Sequence, residues 1–214
     1  MAKLKHGTYY HIYNRGINSA RIFNQKKDFI YFLDLYKRFI PAIADTFAWT
    51  LMNNHFHFLV RIKNEDEIGL LDTSMVANKQ KKWETIIPEN VNEKGKKPVP
   101  SRQFSHLFNT YAKWFNKTYK RTGSLFEKGF KRKEVENEHY LQHLVYYIHH
   151  NPLHHQASKS YIGYQWTSYN DFINMKSTLV DIELVIEWFD DLENFVFFHQ
   201  EEHELSMIQD YLID

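Results

Sequence analysis

The alternation of apolar and polar residues along the chain predicts most of its elements. TYYHIYNRG, residues 8–16, is rich in Tyr and Ile and closes on Asn-Arg-Gly, a strand followed by a turn. KKDFIYFLDLYKRFI, residues 26–40, places Phe29, Phe32, Leu33, Leu35, Tyr36 and Phe39 at helical spacing, and Pro41 stops it. TFAWTLMNNHFHFLVRIK, residues 46–63, reads as two strands joined tightly at Asn53-Asn54, because Asn tolerates the positive φ of hairpin turns. Residues 64–103 are polar and read as a long inserted loop. An amphipathic helix follows over 104–123, closed by Gly123, then a basic strand within 124–137. EHYLQHLVYYIHHNP, residues 138–152, is a helix stopped by Pro152. The order β-α-β-β-α-β-α predicts an α+β fold: a ferredoxin-like split βαβ antiparallel sheet with helices on one face. The tail from Ser177 mixes acidic and apolar residues and predicts one to three short helices, a C-terminal helical extension.

Composition narrows the class. The 214 residues are 43% hydrophobic and 25% charged, which is folded-protein composition. Cysteine is absent, so disulfides, thiolate metal sites and cysteine nucleophiles are excluded. No apolar run has signal-peptide or membrane-span length, so a soluble, cytoplasmic protein without a membrane partner is expected. The net charge of +1 conceals an asymmetry: all 27 Lys and Arg lie at or before Lys176, and 11 of the 26 acidic residues follow it. A basic body with an acidic tail suits a polyanionic partner. The tail could simply neutralise the body, or cover a basic groove and inhibit it.

Two histidines stand out. His55 and His57 are two apart in a strand, so they share a face, while Phe56 and Phe58 take the other. Two imidazoles so placed can ligate one divalent ion; such a pair also occurs as a hydrogen-bonded pair with no metal. Tyr147 and Asn151 are four apart on one helical face, with Tyr146 turned about 100° away. A phenol beside a metal could attack a phosphate; a lone Tyr on a helix can equally be a core aromatic.

Several short motifs recur in order. They are YYHIYNRGINSARIF at 9–23, MNNHFHFLV at 52–60, GSLFEKGFKRKEVENEHYLQHLVYYIHHNP at 123–152 and YQWTSYNDF at 164–172. Together they resemble the single-tyrosine HUH transposases, in particular the REP-associated tyrosine transposase group. The resemblance implies a transposase domain over 5–176, carrying the inserted polar loop of about 64–103, and an acidic helical extension over 177–214. It implies that His55 and His57 bind Mg²⁺ or Mn²⁺ with Asn151 as a polar third ligand, and that Tyr147 is the nucleophile. The implied reaction cleaves and rejoins single-stranded DNA, at hairpin ends, through a 5′-phosphotyrosine intermediate. A homodimer is left open. The chain departs from the family in having MNNH for Met-Pro-Asn-His and LHHQ after Asn-Pro.

A basic cluster follows. Lys113, Lys117, Lys120, Arg121, Lys128, Lys131, Arg132 and Lys133 face only Glu127 between residues 113 and 133. Of these, Lys128, Lys131, Arg132 and Lys133 are expected to contact DNA phosphates, joined by Arg15 on the resemblance. HHNPLHH, residues 149–155, reads as a wet, partly charged loop rather than a second metal site. Two rival functions remain: a hairpin-specific DNA-binding protein without transposition, and a hydrolytic metal nuclease without a covalent step.

Overall fold

The computed structural model describes residues 3–71, 85–86 and 97–211. Four strands form one sheet: β1 (Tyr9–Arg15), β2 (Ala44–Met52), β3 (His55–Ile62) and, after two short strands, β6 (Lys131–Glu134). Their order is β2-β3-β1-β6. The crossover through helix α1 (Lys26–Phe39) skips one position, which β3 fills. This is the ferredoxin-like split βαβ in an α+β protein. The short strands β4 (Leu70–Leu71) and β5 (Thr85–Ile86) pair with each other, antiparallel. Helix α2 (Pro100–Thr118) begins inside the segment read from sequence as loop, with Pro100 in its first turn. The rest of that loop, 72–84 and 87–96, lies outside the described residues.

The chain divides into two compact units. Met1–Thr8, Gln25–Asp45 and Arg61–Gly123 make the first. There α1 is opened by a capping box between Gln25 and Asp28. Asp28 also accepts from the Tyr119 hydroxyl at 2.8 and 2.9 Å. Phe32 meets Tyr111 edge to face at 5.0 Å, which packs α1 on α2.

Tyr9–Asn24, Thr46–Val60 and Ser124–Asp214 make the second unit. It holds helix α3 (Leu141–His154) and the short helices α4 (Tyr169–Ile173), α5 (Ile182–Trp188) and α6 (Leu192–Gln200). Pro152 does not stop α3, contrary to the sequence reading. It sits in the last turn, where its missing N–H removes one intrahelical bond and little else depends on it. The acidic extension folds into α5, α6 and a 3₁₀ segment over Leu205–Tyr211, with Val185, Phe195 and His199 fully buried.

The Asn53-Asn54 turn that precedes His55 is held by backbone. Gly16 N–H donates to the Asn54 carbonyl, and Ile22 and Phe23 N–H groups donate to that of Asn53, at 2.8–3.0 Å. Gly16 is required by close approach: a Cβ there would lie 2.0 Å from the Ala20 carbonyl oxygen. Gly16→Ala is expected to lower stability by about 1–3 kcal/mol, the usual cost of overpacking, read as a lowered urea midpoint. An unchanged midpoint would show that the Ala20 loop yields freely.

Candidate active site

Strand alternation settles the first half of the site. His55 and His57 share one face of β3, and Phe56 and Phe58 are buried on the other. On the neighbouring strand, His11 and Tyr13 face the same way as His57. The His11 and His57 rings stack at 5.1 Å, and Tyr13 and His57 lie 6.2 Å apart. Helix α3 lies against this face. The Tyr147 ring meets His57 edge-on at 5.7 Å and His11 at 6.1 Å.

The helical phase that brings Tyr147 to the histidines also brings Asn151, four residues on. Tyr146 points elsewhere. It stacks on His150 at 3.9 Å and meets His203 at 4.9 Å.

Four polar atoms of this cluster are buried with no partner at hydrogen-bonding geometry: His55 Nε2, His57 Nε2, Asn151 Oδ1 and His11 Nδ1. Buried polar atoms are rarely left so. Their neighbours in each side chain are all engaged. His55 Nδ1–H donates to Asn54 Oδ1 at 2.6 Å. His57 Nδ1 bonds His11 Nε2 at 2.9 Å. Asn151 Nδ2 donates to the Tyr147 carbonyl at 3.0 Å, which turns its Oδ1 outward. Asn151 also bears on His55, favouring its protonation.

Burial dominates the electrostatics. It lowers the His55 pKa to about 3, with His155 and Arg15 adding to the effect. His57 is pushed well below the usual range, first by burial and then by His11. Both imidazoles are therefore neutral at pH 7, the form that ligates metals. The donor set, two imidazole nitrogens and one amide oxygen, fits a divalent ion that also accepts phosphate oxygens. Among the described residues, no group of three or more His, Cys, Asp or Glu is placed to hold a metal.

Arg15 leaves β1 beside this site and pairs with Glu127 at 2.6 Å. The basic strand splits between faces. In the antiparallel register Lys133 is opposite His11 and Lys131 opposite Tyr13, so both share the histidine face. Arg132, opposite Ile12, takes the other face, with its guanidinium 5.3 Å from the Phe130 ring centre. Lys128 is exposed in the turn before β6. Lys113, Lys117, Lys120 and Arg121 belong to the other compact unit.

The HHNPLHH segment is two environments rather than one wet loop. His154 and His155 are exposed; His155 meets the His55 ring at 4.6 Å, and His154 lies 6.5 Å from Tyr147. His149 and His150 are buried within α3. His149 belongs to a directed relay. Trp49 N–H donates to Ser168 Oγ at 2.9 Å, and Ser168 Oγ–H donates to His149 Nε2 at 2.8 Å. His149 Nδ1–H then donates to His199 Nε2 at 2.9 Å, and His199 Nδ1–H to the Phe195 carbonyl at 2.8 Å. Thus α3, which carries Tyr147 and Asn151 on one side, is bonded to the acidic extension on another.

The sequence reading missed His11 and Asn54 as partners of the two site histidines. His11 had a signal: a histidine inside a Tyr-rich strand, where an apolar residue is expected.

No protein-family model and no curated protein sequence matches the chain. Among solved structures, it is similar to a REP-associated tyrosine transposase bound to a REP hairpin, with a TM-score of 0.52 and 15% identity, covering 81% of this chain and 83% of the other. At that identity the likeness establishes a shared fold. No helix among the described residues is long and apolar enough to cross a membrane.

Proposed function

We propose that this chain is a metal-dependent transposase of the REP-associated, single-tyrosine HUH type, which cleaves and rejoins single-stranded DNA at hairpin ends. The observation that supports this most is that His55 Nε2, His57 Nε2 and Asn151 Oδ1 are each buried without a hydrogen-bond partner, on histidine rings 5.2 Å apart and an amide that acts on His55, with the Tyr147 ring 5.7 Å from His57. These three atoms would hold Mg²⁺ or Mn²⁺. When bound, such an ion supplies Lewis-acid polarisation of the scissile phosphate. Tyr147 Oη would give up its proton to water and bond to the phosphorus as the bond to the 3′ oxygen breaks; the 3′ oxygen takes a proton from water, leaving a 5′-phosphotyrosine and a free 3′ hydroxyl. The reverse attack by a 3′ hydroxyl on the phosphotyrosine rejoins the strand, and no external energy source is needed. Arg15, Lys131 and Lys133 share the region of the site and would hold the phosphate backbone, with Lys128 beside them and Arg132 contacting DNA from the opposite face. The shared fold with a REP-hairpin-bound transposase agrees with this reading.

Covalent capture tests it. With Mn²⁺ and labelled single-stranded DNA from sequences flanking the chain's own gene, the full chain should give a protease-sensitive, slow-migrating band on a denaturing gel. EDTA should abolish the band, and added Mn²⁺ should restore it. The burial of Tyr147, 4% exposed, favours one rival, a hairpin-binding protein with no covalent step. Tight hairpin binding without any band in Mn²⁺ would establish that rival.

A further inference from the structure

His11 is buried completely in β1, an inner strand bonded to β3 on one side and β6 on the other. Its Nε2 lies 2.9 Å from His57 Nδ1, and the two rings are nearly parallel, 19° apart. One proton is shared between those two nitrogens, and its placement decides what His57 can do. If His57 Nδ1 carries it and donates to His11, His57 Nε2 is a bare lone pair facing the site. If His11 Nε2 carries it, a neutral His57 must hold its own proton on Nε2. Either placement leaves one buried ring N–H without a hydrogen-bond partner, His57 Nε2–H in this arrangement and His11 Nδ1–H in the other, so a divalent ion on His57 Nε2 is what selects the arrangement with the proton on His57 Nδ1.

We infer that His11 is the positioning residue of the site: it accepts the His57 Nδ1–H and so fixes His57 with Nε2 presented as a ligand. This rests on the proposed metal-dependent reading. Asn54 does the corresponding work for His55. The two ligands are unequal, however. Asn54 is adjacent in the chain to the residue it holds, whereas His11 brings a separate strand and also touches the Tyr147 ring. An acceptor behind a metal-ligating histidine commonly contributes 10–100-fold in affinity.

The test uses the full chain, His11→Phe and His11→Gln. Gln can place an amide oxygen near the position of the imidazole Nε2; Phe keeps volume and offers no acceptor. Nitrogen-15 NMR of the Mg²⁺-loaded protein reads the His57 tautomer, and Mn²⁺ titration followed by electron paramagnetic resonance reads affinity. His57 should carry its proton on Nδ1 in the natural chain and in His11→Gln. His11→Phe should bind Mn²⁺ 10–100-fold more weakly, while His11→Gln recovers most of the affinity. Adduct formation in His11→Phe should return as Mn²⁺ is raised to saturation. An Nε2–H tautomer in the natural chain overturns the inference, as does unchanged Mn²⁺ affinity in His11→Phe. Should His11→Phe not fold, the natural chain and His11→Gln still decide it through the tautomer. A natural chain with the expected tautomer and Mn²⁺ affinity, but no DNA adduct, instead overturns the transposase reading and leaves the role of His11 in place.

Discussion

Tyr147→Phe should bind hairpin DNA as the natural chain does and form no covalent adduct at any metal concentration. The substitution removes one oxygen. The ring that meets His57 and His11 edge-on is kept, so the packing of α3 against the sheet is kept. The stability cost is that of one hydrogen bond at most, about 0.5–1.5 kcal/mol. The loss of the adduct, by contrast, should be complete, and Tyr13, the other phenol on the histidine face, 6.2 Å from His57 and raised in pKa by burial, should not substitute. Tyr146 is adjacent in sequence but about 100° around the helix, stacked on His150 and raised in pKa by burial. Tyr146→Phe should therefore leave the adduct in place. The comparison also separates the covalent mechanism from hydrolysis. A nuclease that attacks with water would still cut DNA with Phe at 147, giving two free ends and no protein-linked product. Cleavage retained in Tyr147→Phe would sink the nucleophile assignment while leaving the histidine pair as a metal site.

Much of this arrangement could be read from the sequence, and the reason is periodicity. Period two placed His55 and His57 on one face, and period 3.6 placed Tyr147 with Asn151 and away from Tyr146. Both are local rules, and both hold in the structure. The sheet order followed from the order of elements and the short hairpin at Asn53-Asn54. What could not be read depends on partners distant in sequence. His11 is a strand histidine whose importance lies in a bond to His57, and nothing local reports that bond. The HHNPLHH segment was misread because Pro152 was given helix-stopping power it lacks so close to a C-terminus. His149 and His150, which precede Pro152, lie on the buried side of the helix. The acidic extension shows the same limit. Its charge suggested a detachable cover for a basic groove, yet it contributes Val180, Val185, Phe189, Phe195 and His199 to buried positions. Deleting it would expose apolar surface as well as remove charge, so a change in DNA affinity on deletion would not by itself report unmasking.

Acid should unfold this protein early, and the buried imidazoles are the reason. His149 is held well below the usual histidine range by burial, then by His199 and His150. His199 is lowered to about 3 and His150 to about 4, burial again leading. Burial holds all three neutral: His149 and His199 are fully buried, and a second proton on either ring would place a charge where water cannot reach it. In the unfolded chain they titrate near 6.5. Between about pH 6.5 and their folded values, the unfolded state therefore binds more protons than the folded one. Their contribution is complete above 6.5 and is lost as pH falls. Each histidine removes about 1.4 kcal/mol per pH unit in that window, so His149 and His199 together remove about 3. Against a total stability of about 5–15 kcal/mol, two pH units would take a large fraction of it. Urea unfolding of the metal-free chain from pH 7.5 to 4.5 should show a flat region above 6.5 and a steep fall below it. The loss would reach the site as well, since α3 carries Tyr147 and Asn151 and is tied to the extension by the same two histidines. A stability that stays level from pH 7 to 5 would mean that His149 and His199 accept protons in the folded state, and that the relay between them is not the neutral, directed one its geometry describes.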